Sequence, residues 1–292
     1  MVKSIIGHTK DLGDNFHIRR VLPALEKRSV GPFVFFDHFG PVPIVTGQEL
    51  VVRAHPHIGL ATITFLYDGI ILHRDSLGVE EKIQPNETNW MIAGHGIVHS
   101  ERSLFDKKYE ILEGIQTWVA LPKDKEDIEP SFQHLSESEI PVYKENGITL
   151  RLLGGNFLNL SSPAIVHSAL LYADIHVEKD ASQVEWQLPE SVEAAIYVSR
   201  GSIEVEESAY GVGSMILFEK GSKITFKPQQ ESRLMLLGGE PLTERHILYW
   251  NFVSTSQEKI DQAKVRWEKD EFPKVIHETE RIPLPPPIGG AH

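Results

Sequence analysis

The sequence predicts an all-β protein built from two stacked jelly-roll β-barrels, followed by one short C-terminal helix. Short runs rich in β-branched and aromatic residues recur along the chain, and Gly, Asp or Pro separates them about every 8–12 residues. A pattern of strand, glycine turn and strand occurs once in each half, which indicates an internal duplication. The 292 residues suffice for two domains of moderate size.

The first barrel is predicted within residues 1–137. Residues 62–67 form a strand that enters the Asp68-Gly69 turn, and residues 70–72 form the next strand. Residues 114–119 have the same composition and are predicted to be a later strand of this barrel. The polar segment 124–141 is expected to link the two barrels.

The second barrel is predicted within residues 138–292. Residues 148–153 and 170–175 are its clearest strands, and residues 196–203 repeat the strand-turn-strand pattern of the first half. Thr255 and Glu258 have the spacing of a capping box, and residues 257–269 contain no Gly or Pro, so a helix is predicted there. The stretch 283–290 is rich in Pro and Gly and is predicted to be a tail or a packed strap.

Charge and composition exclude several classes of function. The net charge is −12, from 41 acidic and 29 basic residues, and the basic residues are scattered. Direct nucleic-acid binding is therefore not expected, because it needs clustered Lys and Arg. The absence of cysteine excludes disulfides, thiolate metal sites and a cysteine nucleophile. The chain has no apparent export signal and no apolar run near the roughly 20 residues of a membrane span, so we expect a cytoplasmic monomer without membrane contact.

Two short residue pairs predict a metal site. His55 and His57 are separated by one residue, and so are His99 and Glu101. Residues i and i+2 of a strand project to the same face, so the two pairs can converge inside a barrel. Three imidazole nitrogens and one carboxylate oxygen suit Fe(II), Mn(II), Ni(II), Cu(II) or Zn(II).

The alternative interpretation is that these are ordinary surface residues. The chain has 14 histidines, so a single His-x-His by chance is unremarkable. The apolar, glycine-marked segment 90–98 argues for a buried site, because it leads directly to His99 and Glu101, and a buried charge requires compensation.

Other polar residues have two possible roles each. The segment His73-Arg74-Asp75 is predicted to be a polar turn beside the barrel. His95 is either a donor to the metal ligands or an exposed loop residue. The remaining candidates line the cavity or belong to the core: Trp90, Met91, Gln116 and Trp118.

Several segments resemble successive landmarks of the pirin family, in the same order and over most of the chain. They are residues 34–41 (VFFDHFGP), 55–59 (HPHIG), 73–78 (HRDSLG), 90–94 (WMIAG), 96–101 (GIVHSE), 114–119 (GIQTWV) and 239–242 (GEPL). Pirins belong to the cupin superfamily, so the resemblance implies two cupin barrels packed face to face. It also implies one metal, usually iron, held in the first barrel by His55, His57, His99 and Glu101, and a second barrel without metal.

This chain departs from the wider pattern at three positions near the implied ligands. Ala61 stands where many cupins have a glutamate, Ile58 stands where pirins often have an arginine, and His95 lies between two glycines. These departures bear on the pocket and its substrate more than on the metal.

The resemblance implies two functions of different classes. The first is a dioxygenase that opens the ring of quercetin or a similar flavonol or enol with O₂, with Glu101 as the general base. The second is a non-enzymatic iron-binding regulator of a transcription factor or metabolic enzyme, which would need a protein partner. An enzyme should consume O₂ with substrate, whereas a regulator should change its affinity for the partner when its iron is oxidised.

Overall fold

The all-β prediction is confirmed by the fold. A computed structural model describes residues 3–11, 17–47 and 49–286. The strands up to residue 135 are β1 (Ser4–Ile6), β2 (His8–Asp11), β3 (His17–Leu22), β4 (Phe33–Pro43), β5 (Val51–His57), β6 (Leu60–Asp68), β7 (Ile71–Asp75), β8 (Glu80–Ile83), β9 (Thr88–Ile92), β10 (Ile97–Ser103), β11 (Ile111–Ala120) and β12 (Ser131–Leu135).

The later strands and the single described α-helix complete the chain. They are β13 (Val142–Glu145), β14 (Ile148–Phe157), β15 (Leu160–Ser161), β16 (Leu170–Val177), β17 (Val184–Gln187), β18 (Glu193–Arg200), β19 (Ser202–Val205), β20 (Ser208–Gly211), β21 (Ser214–Phe218), β22 (Lys223–Pro228), β23 (Ser232–Gly239), β24 (Ile247–Tyr249), β25 (Phe252–Ser254) and α1 (Gln257–Glu268). No helix in the described part of the chain is long and apolar enough to cross a membrane.

Each barrel consists of one large and one small antiparallel sheet. The first barrel has a seven-stranded sheet in the order β12-β9-β6-β11-β4-β3-β2 and a four-stranded sheet in the order β5-β10-β7-β8. The second barrel has an eight-stranded sheet that includes β16, β18 and β23, and a four-stranded sheet in the order β17-β22-β19-β20. The N-terminal strand β1 pairs with β21 and so belongs to the second barrel.

The large sheets of the two barrels pack against each other through an apolar core. Phe33 lies 5.4 Å from Tyr172, and Phe36 lies 4.8 Å from Tyr197, between ring centroids. Such aromatic contacts bury large apolar areas, and area removed from water is the main source of stability. The barrels are therefore joined by a continuous core.

The last forty described residues return to the first barrel. This segment, residues 247–286, contains β24, β25 and α1, and we call it the C-terminal strap. Phe252 forms a parallel bridge with Ile58, and the backbone N–H of Ile282 donates to Ala54 O at 2.8 Å. Phe252, Ile260 and Trp267 form an apolar cluster with residues of β5 and β10.

Three local predictions differ from the structure. Residues 73–75, predicted as a polar turn, are the buried end of β7, because the strand continues past Leu72 to pair with β10. Part of the predicted linker forms β12, which pairs with β9. The helix begins at Gln257, as predicted, but its N-cap is Ser256, whose hydroxyl accepts from Lys259 N, and not Thr255. Residues 287–290 of the predicted tail lie outside the described residues.

Candidate metal centre

Neighbouring strands β5 and β10 carry the four predicted ligands. The register places His99 opposite His55, and a β-bulge between His99 and Glu101 shifts the pairing beyond it. His55 and His57 project from one face of β5, as their spacing predicts. All four side chains are buried, with residue exposures between 1% and 8%.

The three imidazole rings converge on one point. Ring centroids are 4.3 Å apart for His55 and His99, and 5.0 Å apart for His57 and His99. One ring nitrogen from each histidine lies within 4.8 Å of the others. The Nε2 atoms of His57 and His99 are only 3.1 Å apart.

Main-chain carbonyls fix the tautomers of two of these histidines. His55 Nδ1 donates to Arg53 O at 2.8 Å, and His57 Nδ1 donates to Asn251 O at 3.1 Å. A carbonyl oxygen can only accept, so each Nδ1 carries the proton and each Nε2 carries a lone pair. The Nε2 lone pair of His57 therefore faces His99 Nε2.

This donor set fits a divalent transition metal. Two imidazole nitrogens bound to one ion at about 2.1 Å and at a right angle stand about 3 Å apart, which is the spacing of His57 Nε2 and His99 Nε2. His57 Nε2 has no proton to give, and a cation held between two nitrogen lone pairs this close is attracted by both.

Burial keeps these imidazoles neutral. It lowers the pKa of His57 and of His99 well below 6.5, and the neighbouring histidines lower both further. The pKa of His55 is lowered as well, mainly by burial, although its hydrogen bond to Arg53 O and the charge of Glu101 oppose the shift. Neutral imidazole is the form that binds a metal.

Glu101 lies beside the cluster in a pocket of hydrogen-bond donors. Its Oε1 accepts from the Thr64 hydroxyl at 3.2 Å and from Gln116 Nε2 at 3.2 Å. Its Oε2 accepts from Gln116 Nε2 at 3.0 Å. These contacts hold a buried carboxylate in place, and they come from strands β6 and β11 of the opposite sheet.

The sequence analysis missed His73. Among the described residues, two overlapping groups could hold a metal: His55, His57 and His99 form one, and His73, His99 and Glu101 form the other. His73 is 2% exposed, and its Nδ1 lies 3.4 Å from His99 Nδ1. Its spacing from Asp75, again i and i+2, repeats that of the two ligand pairs and was the available signal.

The predicted lining residues divide into two sets. Gln116 contacts Glu101, and the Trp118 ring lies 5.2 Å from His57, so both border the site. Trp90 belongs to the core between the barrels, and Met91 packs beside Trp118 in a separate apolar cluster.

The departures from the family pattern lie around the ligands without replacing them. His95 is largely exposed and pairs with Glu129 Oε2 at 3.2 Å. Ile58 packs against the C-terminal strap, and Ala61 lies in the core between the barrels.

Two stacked jelly-roll barrels, with a buried cluster of histidines and a carboxylate in the first, define a two-domain cupin. Family comparison agrees: the profile described as Pirin matches residues 15–119, and the profile described as Pirin C-terminal cupin domain matches residues 172–273. A pirin-like protein of Caulobacter vibrioides is 43% identical over 284 residues, which cover 94% of this chain and 96% of that protein. The chain belongs to the pirin family.

Other relatives bear names that refer to an activity or a metal. A Pseudomonas aeruginosa protein provisionally named quercetin 2,3-dioxygenase is 34% identical, covering 92% of this chain and 84% of that protein. The crystal structure of an Acinetobacter baumannii quercetin 2,3-dioxygenase superposes with a TM-score of 0.91 at 29% identity, covering 100% of this chain and 97% of that one. The Escherichia coli pirin YhhW, solved with nickel(II), shares the fold with a TM-score of 0.64 at 17% identity, covering 83% of this chain and 100% of that one.

Proposed function

We propose that this protein is a metal-dependent dioxygenase that cleaves quercetin or a similar flavonol or enol with O₂. The proposed ligands are His55, His57, His99 and Glu101. Fe(II) is the proposed ion, and Mn, Ni, Cu and Zn are alternatives because the same ligand types accept them.

One observation carries the proposal. Two buried imidazoles fix their Nδ1 protons on main-chain carbonyls, and the Nε2 lone pair of His57 faces His99 Nε2 at 3.1 Å. Glu101 adds a buried carboxylate two residues after His99 on β10. The names of the Pseudomonas and Acinetobacter proteins support the choice of reaction.

The residues around the ligands suggest how a substrate would react. Held by these four side chains, a divalent ion would supply Lewis acidity at the site. Glu101 is the proposed general base. Its Oε2 accepts a hydrogen bond only from Gln116, whereas Oε1 accepts hydrogen bonds from both Gln116 and Thr64, so Oε2 is the better proton acceptor. The enol or phenol proton of the substrate therefore moves to Oε2.

Aromatic side chains form one wall of the site. Trp118 stacks on Phe35 with ring centroids 3.9 Å apart and planes at 10°, and its ring also lies 5.2 Å from His57. Such a flat, buried surface suits an aromatic substrate and excludes water from the reacting groups.

The proposal is tested by metal analysis and an O₂-uptake assay. Purified protein is loaded with Fe(II) without oxygen and then mixed with quercetin and O₂. His57→Gln and Glu101→Gln remove one ligand each. His176→Gln and Glu231→Gln are matched controls, because this exposed pair, 2.9 Å apart, lies in the second barrel.

We expect about one metal per chain and quercetin-dependent O₂ uptake in the wild type and both controls. Each ligand variant should lose the uptake and most of the metal. One metal per chain without uptake would instead favour the regulatory function or another substrate. No stoichiometric metal after loading would refute the ligand assignment.

A further inference from the structure

Behind His99 lies a chain of buried polar side chains that the proposed reaction does not use. Strand β7 pairs with β10 so that Asp75 is opposite His99 and His73 is opposite Glu101. His73 Nε2 lies 3.1 Å from Asp75 Oδ2, and His73 Nδ1 lies 3.4 Å from His99 Nδ1. Asp75 is completely buried, and His73 and His99 are nearly so.

The surroundings of Asp75 fix the direction of the first hydrogen bond. Asp75 Oδ1 accepts from the backbone N–H groups of Leu77, at 2.8 Å, and Val79, at 3.1 Å. Its Oδ2 faces His73, and a carboxylate oxygen can only accept. The donor is therefore His73 Nε2–H.

The direction of the second hydrogen bond follows from the first. A neutral imidazole that carries its proton on Nε2 has a lone pair on Nδ1. His73 Nδ1 therefore accepts from His99 Nδ1–H, which leaves the lone pair of His99 on Nε2. That atom faces His57 Nε2 at 3.1 Å, where the proposed metal would bind.

Packing holds the His73 ring in this orientation. Phe132 of β12 stacks on it with centroids 4.5 Å apart and planes at 22°. The contact leaves Asp75 and His99 as the hydrogen-bonding neighbours on the two ring nitrogens. Main-chain carbonyls fix the tautomers of His55 and His57, whereas side chains fix the tautomer of His99.

We propose that Asp75 and His73 are positioning residues that fix the Nδ1–H tautomer of His99, so that its Nε2 is free to bind the metal. The inference rests on the proposed metal site. Partners of this kind orient ligand histidines and raise their basicity, and their loss typically weakens metal affinity about 10–100-fold.

The first test needs no metal, and it uses a variant only to assign signals. Long-range ¹H–¹⁵N correlation spectra of metal-free, ¹⁵N-histidine-labelled protein distinguish Nδ1–H from Nε2–H tautomers. The His99 signals are assigned by their loss in His99→Gln. We expect Nδ1–H for His99 and Nε2–H for His73, and an Nε2–H tautomer of His99 would overturn the proposal.

The second test is Asp75→Asn, which changes the hydrogen bond without changing the shape. The backbone N–H groups of Leu77 and Val79 still donate to the side-chain oxygen of the new asparagine. Its amide nitrogen therefore faces His73 and donates a hydrogen bond to it. His73 must then donate from Nδ1, and His99 must carry its proton on Nε2, where the proton blocks the metal. Asp106→Asn is the matched control, because Asp106 Oδ1 also accepts an N–H two residues later, from Lys108 at 2.7 Å.

Zn(II) affinity, measured against a chromogenic chelator, is the second readout. We expect a 10–100-fold loss together with an inverted His99 tautomer in Asp75→Asn, and neither change in Asp106→Asn. Wild-type tautomer and affinity in Asp75→Asn would overturn the proposal while leaving the metal site intact. Failure of the wild type to bind Zn(II) or Fe(II) would refute the proposed function, and the metal-free spectra would still decide the tautomer.

Discussion

His55, His57 and His99 bring three ionisable rings into a space from which water is excluded. Burial lowers the pKa of each ring below 6.5, and repulsion from the charged form of His55 lowers the pKa of His57 and of His99 further. In the unfolded chain each ring returns to its ordinary value. The folded, metal-free protein consequently binds fewer protons in mild acid than the unfolded chain does.

This difference predicts how stability depends on pH. The free energy of unfolding of metal-free protein should be level above pH 6.5 and should fall as the pH drops below it, since unfolding then takes up protons. Each buried histidine contributes up to about 1.4 kcal/mol per pH unit. Urea denaturation at a series of pH values measures the slope. His57→Gln should make it shallower, whereas an unchanged slope would mean that His57 is protonated in the folded state.

The control for this experiment is His176→Gln. His176 is exposed and pairs with Glu231 at 2.9 Å, so its removal should leave the wild-type slope nearly intact.

The residues of the candidate metal centre could be predicted from strand periodicity alone. Spacing alone selected His55, His57, His99 and Glu101, because i and i+2 on a strand share a face. The role of His73 could not be predicted in the same way, since its position beside His99 depends on the pairing of β7 with β10. The carbonyl that orients His57 comes from Asn251, 194 residues away, and no local pattern indicates it.

At the scale of elements, the turn after β5 determines how the ligand strand meets the C-terminal strap. Gly59 has φ +68°, which L side chains rarely adopt, and an added Cβ would overlap Val253 O. The backbone N–H of Val253 donates to Ile58 O at 3.1 Å. The turn and the strap therefore approach as closely as two backbones can, which requires glycine.

Gly59→Ala should displace the strap from this turn. We expect a loss of about 1–3 kcal/mol in the free energy of unfolding, from backbone strain and the lost contact. Metal affinity should also fall, because the strap carries the carbonyl that orients His57. Gly47→Ala is the control, since Gly47 has φ +81° but open space around it, so only the strain applies. Equal Zn(II) affinities in the two variants would contradict this coupling.

Elements were predictable where the pattern is local and uniform. Strands such as β6 and β11 combine β-branched and aromatic residues and match their predictions closely. The polar end of β7 lacks the apolar pattern of a strand. Its pairing with β10 and the hydrogen bond from Leu77 N to Asp75 hold it in place, and neither is visible in the local sequence. Strand β12 was missed for the same reason: it is half-buried and polar, and its partner β9 supplies its hydrogen bonds.

At the scale of the whole molecule, the first and last described segments each pack on the barrel to which they do not belong in sequence. Strand β1 extends the large sheet of the second barrel, whereas the strap covers the outside of β5 and β10. Glu278 of the strap accepts from Ser100 at 3.0 Å and from Arg102 Nε at 3.0 Å, on the face of β10 opposite the ligands. The two barrels could be predicted from the repeated pattern. The exchange of terminal segments between them could not, because it consists entirely of long-range contacts.

The exchange predicts that the metal centre requires the strap. A chain ending at residue 246 loses the Asn251 carbonyl that fixes the tautomer of His57, and it exposes the apolar cluster around Ile58 and Val98. We expect this truncated protein to lose stoichiometric metal binding and to expose apolar surface to a fluorescent hydrophobic dye. A chain ending at residue 286 keeps every described contact of the strap and should bind metal as the full chain does. Full metal binding by the shorter chain would show that His57 keeps its orientation without Asn251. The strap would then contribute to stability alone.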